Sequence, residues 1–296
     1  MKQSLLLLML LAACPPPPQK ATGPDGNAPQ GINPDACGAI NTTPVGRKLY
    51  AFLVASAELD RATADLENSI RDACRKMAVD LGVSPDGDTK TVCNRAATEL
   101  QANLQVSVKT EKQMVTRTTP PVCQTDVSLA TSFAAECEGS AQGSVKGTCE
   151  GGTQTGNTCN GYTNVDASAE CKASAEVHAT THTTCTPGKV EIVQQDVTVI
   201  DATKWNKAQA AINDGVPQLL LAGAKLTLAG KAAVAWAQTG EQFASAAGDF
   251  AADLGEKAVC VGAQVAGVVA AASQIQARFS VSVEVSASFS ATAGAQ

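Results

Sequence analysis

His178 and His182 are the only histidines in the chain, and with Cys171 and Cys185 they form the pattern C-x6-H-x3-H-x2-C. Zinc takes neutral imidazole nitrogens and thiolate sulfurs in a tetrahedron. Histidines four residues apart share a face on a helix. The residues around them, Val177, Ala179, Thr180, Thr181, Thr183 and Thr184, favour a strand, where alternation also puts both rings on one side. The expected arrangement is a pair of exposed histidines beside a Cys171–Cys185 bridge with no metal, leaving His178 and His182 as the low-ranking metal candidates. Catalytic chemistry has even less to work with. No G-x-S-x-G elbow, P-loop, dinucleotide fingerprint, zincin helix or C-x-x-C pair occurs in the sequence. Asp249 and Asp253 stand at helical spacing beside Phe250, but carboxylate pairs are common in a chain with 28 acidic residues. No catalytic residue and no cofactor is assigned, and an enzyme is not expected. The 22 basic residues are outnumbered by acidic ones and aromatics make up 3% of the chain, so neither a phosphate-binding field nor base stacking is on offer. Nucleic acid is excluded as a partner.

The cysteines speak to compartment. Eleven cysteines, dispersed rather than clustered, point to an oxidising environment. The N-terminus agrees, because Lys2 precedes an apolar run from Leu5 to Leu11, too short to span a bilayer, followed by small residues and a cysteine. Residues 1–13 read as a signal peptide. The tetrad Leu11-Ala12-Ala13-Cys14 resembles the lipobox of bacterial lipoproteins. That resemblance is confined to the first fourteen residues. It implies diacylglyceryl transfer to the Cys14 thiol, cleavage before Cys14 and acylation of the new amine, and Pro15 rather than Asp at the next position implies outer-membrane sorting. Removing Cys14 leaves an even set of ten candidates for disulfides: Cys37, Cys74, Cys93, Cys123, Cys137, Cys149, Cys159, Cys171, Cys185 and Cys260.

The elements that would position these groups follow from periodicity. Residues 14–42, which begin with the lipidated cysteine and four prolines and continue rich in Gly, Pro and Asn, are expected to be a tether. Thr43-Pro44 starts a helix, and three-and-four spacing of Leu49, Phe52, Ser56, Leu59, Thr63, Leu66, Ile70, Cys74, Met77 and Leu81 carries it to Gly82, about 57 Å if unbroken. Its charged residues, Glu58 and Arg61 among them, are assigned to a solvated face. The turn Ser84-Pro85-Asp86-Gly87 returns a shorter helix to about Asn103, setting Cys74 opposite Cys93.

Residues 104–202 are expected to form a Cys-rich β region. A weak repeat, Ala135-Glu136-Cys137 to Thr148-Cys149 and Ala169-Glu170-Cys171 to Thr184-Cys185, suggests two disulfide-closed loops. Residues 203–277 are Ala-rich and read as helices that pause near Gly215 and again near Thr239-Gly240. Glycines at seven-residue intervals, Gly248, Gly255 and Gly262, suggest close backbone approach. From Phe279 to Ser290 apolar residues alternate with serines, so residues 278–296 are expected to be a strand joining the β region.

The sequence therefore predicts an α+β protein, a long-helix Ala/Gly-rich bundle with a disulfide-rich antiparallel β region. The expected role is that of a lipid-anchored, non-catalytic structural or interaction protein of the bacterial cell envelope. Its membrane partner is reached through the N-terminal lipid, and an envelope protein or glycan is its possible second partner. The alternatives are a membrane-perturbing helical bundle, suggested by the uncharged stretch 258–277, and a metal-binding module.

Overall fold

The computed structural model describes residues 31–109, 115–140, 143–193 and 198–294. The signal segment, the lipobox residues Leu11, Ala12 and Ala13, Cys14 and the prolines after it lie outside the described residues. The fold is α+β, a bundle of long helices carrying several small antiparallel sheets and five disulfides.

Helix α1 (Pro44–Leu81) is the spine. The Thr43 hydroxyl accepts from the Gly46 N–H, Pro44 occupies the first turn, and Gly82 ends the helix in the left-handed conformation at φ 77°. Leu49, Ser56, Thr63, Ile70 and Met77, spaced by sevens, are all buried, as are Leu59 and Leu66 between them. Helix α2 (Thr89–Ser107) returns alongside α1, and Cys74 is joined to Cys93 across the hairpin. Two further long helices complete the bundle, α5 (Ala202–Ala246) and α7 (Ala258–Gly294), joined by a short helix α6 (Phe250–Leu254). Ion pairs from Lys76 to Asp214, Lys90 to Glu284 and Arg278 to Asp60 tie α5 and α7 to the hairpin.

Three expectations about the Ala-rich half are corrected. Helix α5 does not stop at Gly215 but runs through Pro217 to Ala246, and the break falls after it rather than at Thr239-Gly240. At Gly215 α5 comes close to α1: a Cβ there would lie 2.0 Å from the Met77 Cγ. By contrast, Gly248, Gly255 and Gly262 have nothing among the described residues within 4 Å of the space a Cβ would fill, so their seven-residue interval does not mark a helix contact there. The largest correction is at the C-terminus. Residues 278–294 are not a strand but the end of α7. The buried row Val261, Val268, Ile275 and Ser282 advances by sevens across the expected boundary, with Val285 beside it, and a helix laid along α1 continues that row.

The region 104–202 is less β-rich than its sequence suggests. Helix α2 continues through Leu104 to Ser107, after which β1 (Val108–Lys109) pairs with β10 (Thr198–Val199) and β2 (Val115–Thr119) pairs with β9 (Lys189–Val193), both antiparallel. Val190 of β9 packs against the core of the bundle. Beyond them β3 (Val122–Asp126) lies between β6 (Thr158–Cys159) and β8 (Thr184–Thr186), with β5 (Gln154–Thr155) on the far side of β6. A separate pair joins β4 (Gly147–Glu150) to β7 (Tyr162–Val165). Two helices interrupt these strands, α3 (Val127–Cys137) and α4 (Ala169–Thr181). Ala130, Phe133 and Ala134 of α3 and Cys171, Ala175 and Ala179 of α4 share a core with Leu49, Tyr50 and Leu53 of α1. The β region is thus folded against the spine by its own helices.

Candidate functional site

The disulfides decide what the histidines can and cannot use. The Cys171–Cys185 and Cys137–Cys149 loops suggested by the repeat are not formed. Cys137 is joined to Cys171, linking α3 to α4, while Cys123 and Cys185 are joined across paired positions of β3 and β8. Cys149 is joined to Cys159, and Cys37 to Cys260. The two Ala-Glu-Cys triplets look alike in sequence but sit at the C-terminal end of one helix and the N-terminal end of another, which is why their cysteines meet. No thiolate is therefore left in the C-x6-H-x3-H-x2-C pattern.

His178 and His182 lie on helix rather than strand: His178 is in the last turn of α4 and His182 is its C-cap. The run of threonines favours extended backbone only weakly, and Val177, Ala179 and Cys171 of this segment gain burial against α1 that a strand would not provide. On one helical face, four residues apart, the rings stand with centroids 4.4 Å apart, and Phe133 stacks on the other side of His178 at 4.9 Å.

The third member of the cluster is Glu58 on α1. Its Oε1 lies 3.4 Å from His178 Nδ1 and its Oε2 lies 3.7 Å from His182 Nδ1. Thr181 Oγ1 lies 3.3 Å from Glu58 Oε2 and donates to the His178 carbonyl, while Arg61, one turn along α1, pairs with the same Oε2. Burial pushes the Glu58 carboxyl up, but His178, His182 and Arg61 outweigh it and hold the group below the usual carboxylate range. Glu58 is an ionised acceptor set between two imidazoles. His178 Nδ1 is buried and has no hydrogen-bond partner among the described residues.

Sequence reasoning placed Glu58 on a solvated face and so missed it. A charged residue beside the buried stripe of α1 carries no mark of its own; only the docking of α4 shows which glutamate faces the histidines. Asp249 and Asp253 do not form a carboxylate site: Asp253 accepts from the Thr43 hydroxyl at the start of α1. Alongside the histidines, a cavity of about 100 Å³ is lined by Asp65, Leu66, Thr180, Thr183, Lys225 and Leu228. No protein-family model, curated protein or solved structure matches the chain.

Proposed function

We propose that this chain is an exported, lipid-anchored protein of the bacterial cell envelope with a structural or interaction role. The observation that carries the reading is the cysteine balance. Five disulfides take up ten of the eleven cysteines, and the one left over is Cys14, the residue that ends the lipobox-like tetrad. Five disulfides belong to an oxidising compartment, and a cysteine behind a short apolar leader belongs to an acylated N-terminus. Two or three acyl chains on Cys14 would hold the protein firmly, since each buried methylene is worth about 0.8 kcal/mol. The prolines after Cys14 would set the reach of the folded body, and the cross-linked segment built on α3 and α4 offers the partner-facing surface.

Intact-mass measurement of the detergent-extracted protein, alkylated without reduction, tests this. The expected result is an acylated Cys14 N-terminus and ten cysteines that resist alkylation. An unmodified N-terminus with the leader retained, or several alkylated thiols, would overturn the reading.

A second reading, membrane perturbation, draws on the two stretches Ala202–Ala246 and Ala252–Ala287, which are long and apolar enough to cross a membrane while only 22% of each most apolar window is buried. Dye release from liposomes by the purified protein would favour it over simple tethering.

A further inference from the structure

We propose that Glu58, His178 and His182 form a divalent transition-metal site, with zinc as the metal that fits best, joining the spine helix α1 to helix α4. The three residues each offer one donor atom, and these atoms all lie within 4.8 Å of one another. A tetrahedral zinc ion with bonds of about 2.0–2.1 Å holds its ligand atoms about 3.4 Å apart. The carboxylate reaches both imidazoles, Oε1 standing 3.4 Å from His178 Nδ1 and Oε2 3.7 Å from His182 Nδ1, separations close to the edge of that tetrahedron. To bind, the Glu58 side chain turns so that one oxygen serves both imidazoles, and the donor atoms draw in from within 4.8 Å of one another; both imidazoles hang from the C-terminal end of one helix. The donor set, two neutral nitrogens and one carboxylate, suits zinc and leaves a fourth position for water or an external ligand.

The surroundings point the same way. His178 Nδ1 is buried and faces the carboxylate 3.4 Å from Glu58 Oε1, so that once deprotonated it presents its lone pair to a metal held by Glu58. Phe133 fixes the plane of that ring by stacking. Thr181 Oγ1 stands 3.3 Å from Glu58 Oε2 on the α4 side, and its hydroxyl, turned from the His178 carbonyl, would orient a ligating carboxylate.

His182 carries the switch. Its Nδ1 lies 2.9 Å from the His178 carbonyl and its Nε2 lies 3.2 Å from Arg61 Nη2, an arrangement satisfied by the tautomer with the proton on Nδ1. Metal binding through Nδ1 requires the other tautomer. The proton then sits on Nε2, which no longer accepts from Arg61, and the guanidinium also loses Glu58 Oε2 to the metal. Arg61, whose side chain is 58% exposed, is free to swing into solvent. Arg61 therefore occupies the site as a competitor, and metal replaces it.

The experiment uses the full chain, detergent-extracted with its disulfides intact and stripped with chelator. It is titrated with zinc chloride by calorimetry and with cobalt chloride by visible absorbance. One zinc per chain is expected, with tetrahedral cobalt bands. Changing His178→Ala, His182→Gln or Glu58→Gln should each weaken zinc by at least about 10-fold and abolish the bands. Arg61→Ala, at an exposed position that does not threaten folding, should bind zinc more tightly than the unaltered protein. Absence of saturable binding up to about 100 μM zinc would overturn the site. So would binding that His182→Gln leaves intact, and weaker or unchanged binding in Arg61→Ala would overturn the displacement of Arg61.

Discussion

Glu138 does work that the residue next to the helix it serves cannot do. Ser168 is the N-cap of α4 but makes no capping hydrogen bond through its side chain. Instead the Ser168 N–H donates to Glu138 Oε1 at 2.7 Å, and Arg47 of α1 pairs with the other carboxylate oxygen at 3.3 Å. One carboxylate at the end of α3 thus caps α4 and pins both to the spine, which in turn sets where His178 and His182 fall. Burial pushes the Glu138 carboxyl up, but hydrogen bonding from Ser168 and the charge of Arg47 more than offset it, so the group stays below the ordinary glutamate range. A depressed acid contributes its stabilisation in full above its unfolded value and loses it as pH falls through the folded one. Glu138→Gln should therefore cost about 1 kcal/mol in urea unfolding at neutral pH, and the gap to the unaltered protein should narrow as pH falls below the ordinary glutamate range. A gap that persists in acid would mean the residue acts through packing alone. At this scale the sequence reveals identity but not company. The two histidines stand out because there are no others, whereas Glu58, Arg61 and Glu138 are ordinary members of charged faces until α4 docks on α1.

Among the elements, α1 is legible at both ends because its signals are local: a capping threonine with proline after it, an unbroken three-and-four row of mostly apolar residues, and a glycine at the far end that takes positive φ. The C-terminal segment was not, because its alternation of valine and serine satisfies two periods at once. Phe279, Ser282, Val285 and Phe289 lie three or four apart as well as on or near a two-residue rhythm, and tertiary packing against α1 and α2 selects the helix. Val283 discriminates between the two structures, since its side chain is 43% exposed and little packing is lost by replacing it. In the interior of α7, Val283→Pro should cost about 3 kcal/mol in urea unfolding and reduce the far-UV helical signal, through a missing N–H and a clash with the preceding turn. A loss below about 0.5 kcal/mol would show that the helix does not extend past Arg278. The strands of residues 104–202 were half legible for a related reason. The alternating ends of that region are paired strands, but its small residues also suit the helices α3 and α4, whose alanines pack closely on α1.

For the molecule as a whole, the disulfides differ greatly in reach. Cys149–Cys159 closes a loop over a separation of 10 residues, whereas Cys37–Cys260 spans 223. If cross-links act mainly by limiting the unfolded chain, loss of the first should cost about 3 kcal/mol and loss of the second about 5. Guanidinium unfolding of the Cys149→Ala/Cys159→Ala and Cys37→Ala/Cys260→Ala pairs, without reductant, checks the order; a reversed order would place the weight on native-state geometry instead. The α+β class was readable from composition and period, and so was the need for disulfides in a segment poor in large apolar groups. The long-range partner of Cys37 was not, since nothing in either neighbourhood refers to the other. That bond also governs how a load enters the protein. A pull on the chain ahead of Cys37 divides there, one part passing into α1 through the backbone and the other crossing the sulfur bridge into the start of α7. Two long helices of opposite chain ends share the strain from the first moment. A single protease cut anywhere between the two cysteines would leave the front of the molecule still fastened to the back.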